Sequence, residues 1–450
     1  MTAAIQDLRR TWTGMALALV AASFYVTVTI LVLIGSYGTA AGFAIAHVLV
    51  LLSVPLIRWM LRNEDYTVVR LVVIALGLKM VGALVRYYVA YGVYGGQADA
   101  TQYHEAGIRL SESFGSGDFF VDIGGSLIGT RFIHVLTGAV YFVTGPTRIG
   151  GFLVYSWLGF VGLLFFYRAF RVSYPDVDGR RYVYLLFFLP SVLFWPSSIG
   201  KEAWMLLTIG VATYGAALFM QRRGAGVLPL ALGLLGSALV RPHITITLVV
   251  ALLAASLVSR YGPGLGGRAR LAVAVLALIA LVPALGAVEQ RFQTRDLVPI
   301  LDQTAEQSGE GGSEFDAVAV RSPQDVPLAV ISVLFRPFPF EAGSPLAMFA
   351  AAETTFLLWF AVRHRRTLVA NLRRVRDHPY LVFTATYGLL FCVAFSNIAN
   401  FGILARQRVQ LLPLALVLLC AGAGSGPVAP AEAAAPEPVP RRELAPSGRV

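Results

Sequence analysis

The sequence predicts an all-α protein, a polytopic bundle of about twelve transmembrane helices with further helices lying on its outer face. Three observations predict it. Hydrophobic residues make up 57% of the 450 residues and charged residues only 14%, where soluble chains carry roughly 25% charged residues. Apolar runs recur at lengths near the ~20 residues that a bilayer span needs. Arginines gather between alternate runs, the bias that marks cytoplasmic loops.

Taken in order, the runs are 13–35, 39–57, 69–91, 150–168, 182–196, 203–220, 225–240, 244–259, 269–288, 345–362, 380–396 and 408–424. Met1 to Thr13 is polar and the run after it is span-length, so no cleavable signal peptide is expected. Arg9 and Arg10 precede the first run, and Arg58 and Arg62 follow the second. Arg168, Arg171, Arg180 and Arg181 lie between the fourth and fifth, and Arg222 and Arg223 follow the sixth. Arg260, Arg268 and Arg270 follow the eighth, and Arg363, Arg365, Arg366, Arg373, Arg374 and Arg376 follow the tenth. Twelve spans with both ends inside put all of these in the cytoplasm of a bacterial-type cell membrane. The scheme requires 131–145 and 326–340 to lie on the outer face without crossing.

Three parts follow: extra spans over 1–68, a membrane core over 69–424, and a tail over 425–450 that is rich in Ala, Pro, Glu and Arg and too polar to fold. The net charge of +11 fits the positive-inside bias and not nucleic-acid binding. Cys392 and Cys420 both lie in apolar runs and suit neither a disulfide nor a metal. No phosphate-binding glycine loop or soluble nucleotide-binding domain is recognisable, which argues against a transporter with its own ATPase.

Under this topology five polar groups collect on the outer face. They are Asp99, Tyr103, His104 and Glu105; the helix break from Pro190 through Trp195, Ser197 and Ser198 to Lys201 and Glu202; Arg241 with His243; Arg336 with Glu341; and Ser396 to Asn400 with Arg406 and Arg408. Ionisable groups near membrane depth are costly and face cavities. Cations beside carboxylates suit a substrate that bears phosphate and sugar. Each group also has a plainer role. Asp99 serves equally as a helix cap, Tyr103 and Trp195 as interfacial anchors, Lys201 and Glu202 as a local ion pair capped by Ser197 or Ser198, and Arg241 as a lipid-headgroup contact. Lys79 and Arg86, seven apart in one run, share a helix face and either snorkel or line a cavity. Convergence on one side is what favours a site. Glu105, six residues on, could join Asp99 around a divalent ion, but no His, Asp or Glu set has clear ligand spacing.

These residues resemble the membrane glycosyltransferases of the GT-C superfamily, above all the protein-mannosyltransferase-like and lipid A aminoarabinose-transferase-like branch. The likeness is carried by Asp99 with Tyr103, by Gly179-Arg180-Arg181 leading to Pro190 and Lys201-Glu202, and by Arg406-Gln407-Arg408 before Pro413. It covers roughly residues 69 to 424. The chain departs from the pattern twice: the acid follows the third apparent span, and the adjacent acidic pair is absent. The resemblance implies a polyprenyl-phosphate sugar donor, a glycan, lipid or protein acceptor and inversion at the anomeric carbon. It implies Asp99, Glu105 and Glu202 as catalytic acids. Tyr103, His104, Lys201, Arg241, His243, Arg336, Arg406 and Arg408 are then the substrate-binding set. An O-antigen-type polymerase or ligase remains open, with its acids in the 289–325 loop at Asp302, Glu306, Glu314 and Asp316. So does a flippase or transporter, although no matching halves are visible.

Overall fold

The computed structural model describes residues 37–121, 124–259, 315, 317–318 and 320–422. Runs 13–35 and 269–288, the 425–450 tail and the four acids of the 289–325 loop lie outside the described residues. Among those described the secondary structure is helical, with no β-strand. Five helices are long and apolar enough to cross a membrane, or six if one bent pair counts as a span.

Among the described residues, four α-helices begin on side-chain caps, at Asp65, Thr147, Ser344 and Asn400. α1 covers Tyr37–Met60. α2, Tyr66–Tyr88, starts on Asp65, whose carboxylate accepts the Val68 N–H, and its apolar stretch runs on through a π-helical turn, Val89–Val93. α3 (Asp99–Gly115) and α4 (Thr130–Thr144) form an amphipathic pair, and α4 is short at 15 residues. α5, Arg148–Ser173, starts on Thr147. The fifth apolar run does not make one helix. It breaks into α6 (Arg180–Phe188) and a five-residue α7 (Pro190–Phe194), because Pro190 cannot continue the hydrogen-bond ladder. α8 is Lys201–Met220, α9 Val227–Ala238 and α10 Pro242–Val258. α11 is Val326–Phe335, α12 Pro345–Arg363 and α13 Arg365–Arg373. α14 is Pro379–Phe395 and α15 Phe401–Arg408. α16 (Leu412–Ala415) and α17 (Val417–Cys420) follow α15 at a 58° bend.

Between membrane helices, close packing of small residues replaces the hydrophobic drive. α5 and α8 run side by side in the same direction. A Cβ on Gly162 would strike the Leu206 carbonyl, and one on Gly210 would strike the Gly162 carbonyl. α9 returns against α8 through Gly233 on Ala212 and Gly226 on Gly215.

The bundle has two chemically different ends. Where α1, α5 and α8 finish lie Arg58, Arg62, Arg168, Arg171, Arg180, Arg181, Arg222 and Arg223. There Arg171 Nε meets Glu64 at 2.9 Å and Arg180 Nη2 meets Asp65 at 2.5 Å. The Arg363–Arg376 cluster shares that end: the Asn371 side chain donates to the carbonyls of Leu418 and Ala421, and the His378 ring lies 5.9 Å from that of Tyr174. The opposite end carries Asp99, Glu202, Arg241 and Arg406.

Candidate functional site

Four elements deliver that second cluster. Asp99 is the first residue of α3. The cap position falls on Ala98, so Asp99 does not cap the helix and its carboxylate turns away to Arg406. Glu202 is the second residue of α8, whose cap position is Gly200 and not Ser197 or Ser198. Arg241 precedes the proline that opens α10. Arg406 comes from α15, which starts on Asn400, whose side chain accepts the N–H groups of Gly402 and Ile403.

Arg406 bridges the acids. Its Nη2 stands 3.0 Å from Asp99 Oδ2 and 3.1 Å from Glu202 Oε1. Arg241 Nη2 donates to the same Glu202 oxygen at 3.2 Å. Glu202 is only 5% exposed, and a carboxylate so buried requires cations and hydrogen bonds around it. The Asp99 side chain is 58% exposed and so stays open to an incoming group.

Arg86 joins these from within the membrane span of α2. Its guanidinium lies 4.9 Å from the Phe194 ring centre and 5.0 Å from that of Trp195. Trp195 is therefore a platform for a cation rather than an interfacial anchor. Buried Nε of Arg86 and Nη1 of Arg241 have no hydrogen-bond partner. Two guanidiniums thus contact the carboxylates and a third, Arg86, lies within electrostatic range of them, with unused N–H groups on Arg86 and Arg241. Such an arrangement favours an anion with several acceptor oxygens.

Tyr103 is buried at the Glu202 side of the cluster, 3.7 Å from where a Cβ on Gly200 would stand. Burial, and then the carboxylates of Glu202 and Asp99, raise its phenol above the ordinary range, so it is a protonated donor. His104 turns the other way. Its Nδ1 lies 2.7 Å from the Tyr141 hydroxyl on α4, and burial pushes its imidazole down to about 4. Glu105 is exposed and lies about 120° from Asp99 around a helix of 3.6 residues per turn, so the two acids diverge. No group of three His, Cys, Asp or Glu among the described residues is placed to hold a metal ion.

Lys201 opens α8, half buried. His243 is exposed, with its ring 5.9 Å from Phe395. Arg336 pairs with Glu341 at 2.5 Å and covers the Phe315 ring at 4.3 Å. Arg408 is fully buried and donates to the carbonyls of Val333 and Arg336. The structure therefore gathers Asp99, Tyr103, Glu202, Arg241 and Arg406 at one point; it engages His104, His243, Arg336 and Arg408 elsewhere and leaves Glu105 exposed on another side of α3. Both cysteines are free and buried.

An apolar groove of about 450 Å³ runs beside the cluster, between α2, α7 and α12. Leu78, Val81 and Val85 line one side and Leu346, Phe349 and Ala350 the other, with Phe194 and Trp195 shared with the Arg86 contact. Val81, Val85 and Phe349 are strongly exposed, so the groove opens where lipid would lie. Its polar points are Ser191, Glu353 and Arg408. The sequence reading missed Glu353, although a carboxylate inside the 345–362 apolar run is itself a signal.

Compared with known proteins, the chain matches no family model, no curated protein and no solved structure.

Proposed function

We propose that the protein is a membrane glycosyltransferase that moves a sugar from a polyprenyl-phosphate donor to an acceptor on the extracytoplasmic face. The reading rests above all on the Arg406 bridge, which ties Asp99 to Glu202 across 307 and 204 residues of sequence. A cation-rich centre beside a lipid-facing groove suits a substrate with an anionic head and an apolar chain. The arginine-rich end lies opposite that centre, and the positive-inside bias supports reading the arginine-rich end as the cytoplasmic one. Twelve spans with both ends inside, in a GT-C-like arrangement, belong to the same proposal.

The chemistry assigns one step. The acceptor hydroxyl attacks the anomeric carbon as the bond from that carbon to the phosphate oxygen breaks. Polyprenyl phosphate leaves with the electron pair, and Asp99 takes the hydroxyl proton. Arg86, Arg241 and Arg406 stabilise the negative charge on the departing phosphate. Glu202, held by two guanidiniums, orients them. Tyr103 donates a hydrogen bond to the sugar or phosphate. A single displacement needs no enzyme nucleophile.

A second reading is supported by the two interrupted helices, α6–α7 and the bent α15–α17, since broken helices also build transport sites. One assay separates the two. Purified protein in nanodiscs is given a polyprenyl-phosphate sugar and a soluble acceptor, and release of polyprenyl phosphate is followed. Asp99→Asn is expected to abolish release while leaving the protein folded. Undiminished turnover in that variant would remove Asp99 as the base. Movement of solute with no covalent product would establish transport instead.

A further inference from the structure

We propose that Lys79 and Glu353 are positioning residues that grip the two ends of α7 and thereby hold Phe194 and Trp195 beneath Arg86. α7 is a five-residue helix lodged against the middle of α2, so close that a Cβ on Gly82 would stand 2.6 Å from the Leu193 carbonyl oxygen. The ends of any helix leave N–H and C=O groups without partners. At membrane depth water is absent, and the protein itself must satisfy them.

At the start of α7 the cap position is Leu189, which has no side-chain acceptor, and Pro190 has no N–H. The first free donor is the Ser191 N–H, and Glu353 Oε2 from α12 accepts it at 2.6 Å. At the other end Lys79 Nζ from α2 donates to the Val192 carbonyl at 2.7 Å and to Ser197 Oγ at 2.9 Å. The Ser197 hydroxyl in turn donates to the Leu193 carbonyl at 2.6 Å. Lys79 is 0% exposed and Glu353 7%. Among the described residues neither forms a salt bridge within 4 Å, and Glu353 also lies within electrostatic range of the Arg408 guanidinium. Ionisable groups at this depth are costly unless they have a task, and the common task here is the backbone of α7.

The two grips come from opposite walls of the groove, with α7 between them. Phe194 and Trp195 follow directly on the Lys79 end. Arg86, on the same face of α2 as Lys79, lies over both rings. One face of α2 therefore both pins α7 and presents the cation that its aromatic pair receives.

The test uses the full chain in nanodiscs, with two readouts. Backbone hydrogen exchange is followed over 190–200, and affinity for farnesyl phosphate is titrated. Lys79→Met and Glu353→Leu are each expected to raise exchange over 190–200 by about tenfold while leaving α5 and α8 unchanged. Glu353→Gln keeps an oxygen acceptor and should stay near wild type. Lys79→Gln, a shorter donor, should fall between wild type and Lys79→Met. Each disruptive single change should weaken farnesyl phosphate binding about tenfold, and the double variant should be no weaker than the worse single, since both act through α7. Unchanged exchange over 190–200, an equal rise throughout the chain, or additive losses in the double variant would each overturn the proposal. The binding readout rests on the proposed function and the exchange readout does not. A wild type blind to farnesyl phosphate would sink that function and leave exchange to decide this one.

Discussion

The two ends of the bundle use the same residue types and arrive at opposite results. At the arginine-rich end Glu64 and Asp65 each pair with one arginine from a neighbouring element, and Arg180 also lies 4.0 Å from Asp178 in its own turn. Arg171 pairs with Glu64 through Nε and directs Nη1 at the carbonyls of Tyr174 and Val177. Arg180 pairs with Asp65 in the open. These contacts join loops to helices. At the other end Arg406 is shared between two acids, Glu202 between two arginines, and buried N–H groups of Arg86 and Arg241 have no partner. Satisfied pairs hold a fold together. A centre with spare donors beside an exposed carboxylate has the chemistry to receive an anionic group.

The comparison can be broken or sharpened in four ways. The largest effect is expected from Arg406→Ala, which removes the bridge and leaves Glu202 with Arg241 alone. Polyprenyl phosphate release should fall by about 10³-fold, and retention of a tenth of wild-type turnover would make the two ends equivalent. Arg171→Ala should act on stability alone. Stranding the largely buried Glu64 should cost about 3 kcal/mol in unfolding free energy, with turnover of the folded fraction unchanged; lost turnover at full stability would contradict the division.

A smaller effect should come from His104. Its imidazole is held near 4 in the fold, below its ordinary 6.5. The unfolded chain therefore binds the proton more readily, and the stability His104 contributes is present above about 6.5 and lost as pH falls toward 4. Unfolding measured across that window should lose roughly 2 kcal/mol, and His104→Gln should flatten the slope while turnover at pH 7 stays intact. The smallest effect is expected from Arg180→Ala, because its ion pair is exposed and screened by solvent. Its melting temperature should match wild type within error, and a shift as large as that of Arg171→Ala would show that exposure does not separate the two pairs.

Much of the site was legible because charge is conspicuous in an apolar chain. Asp99, Glu202, Arg241 and Arg406 were all marked by sequence as polar breaks, and so was Arg86 within its span. Their roles were less legible. Asp99 and Glu202 each looked like the start of a helix making local contacts, and in both cases the side chain reaches a partner more than two hundred residues away. Glu105 and His104 stood beside Asp99 in sequence, and the helical turn sends them to other sides of α3. Glu353 went unnoticed because its partner, a backbone N–H at a helix break, has no sequence signature.

The sequence by itself determined that the chain is helical with apolar stretches long enough to cross a membrane, that some helices start at caps and prolines, and that one end of the bundle would be basic. Those outcomes follow from local chemistry: partition of apolar runs out of water, caps and prolines at helix starts, and arginines beside the runs. Only the tertiary structure decided that 182–196 breaks into two helices, that Arg406 joins two acids, and that Lys79 and Glu353 converge on α7. Those outcomes depend on which helices touch, and contact between distant segments is set by packing over the whole bundle rather than by any stretch of residues read alone.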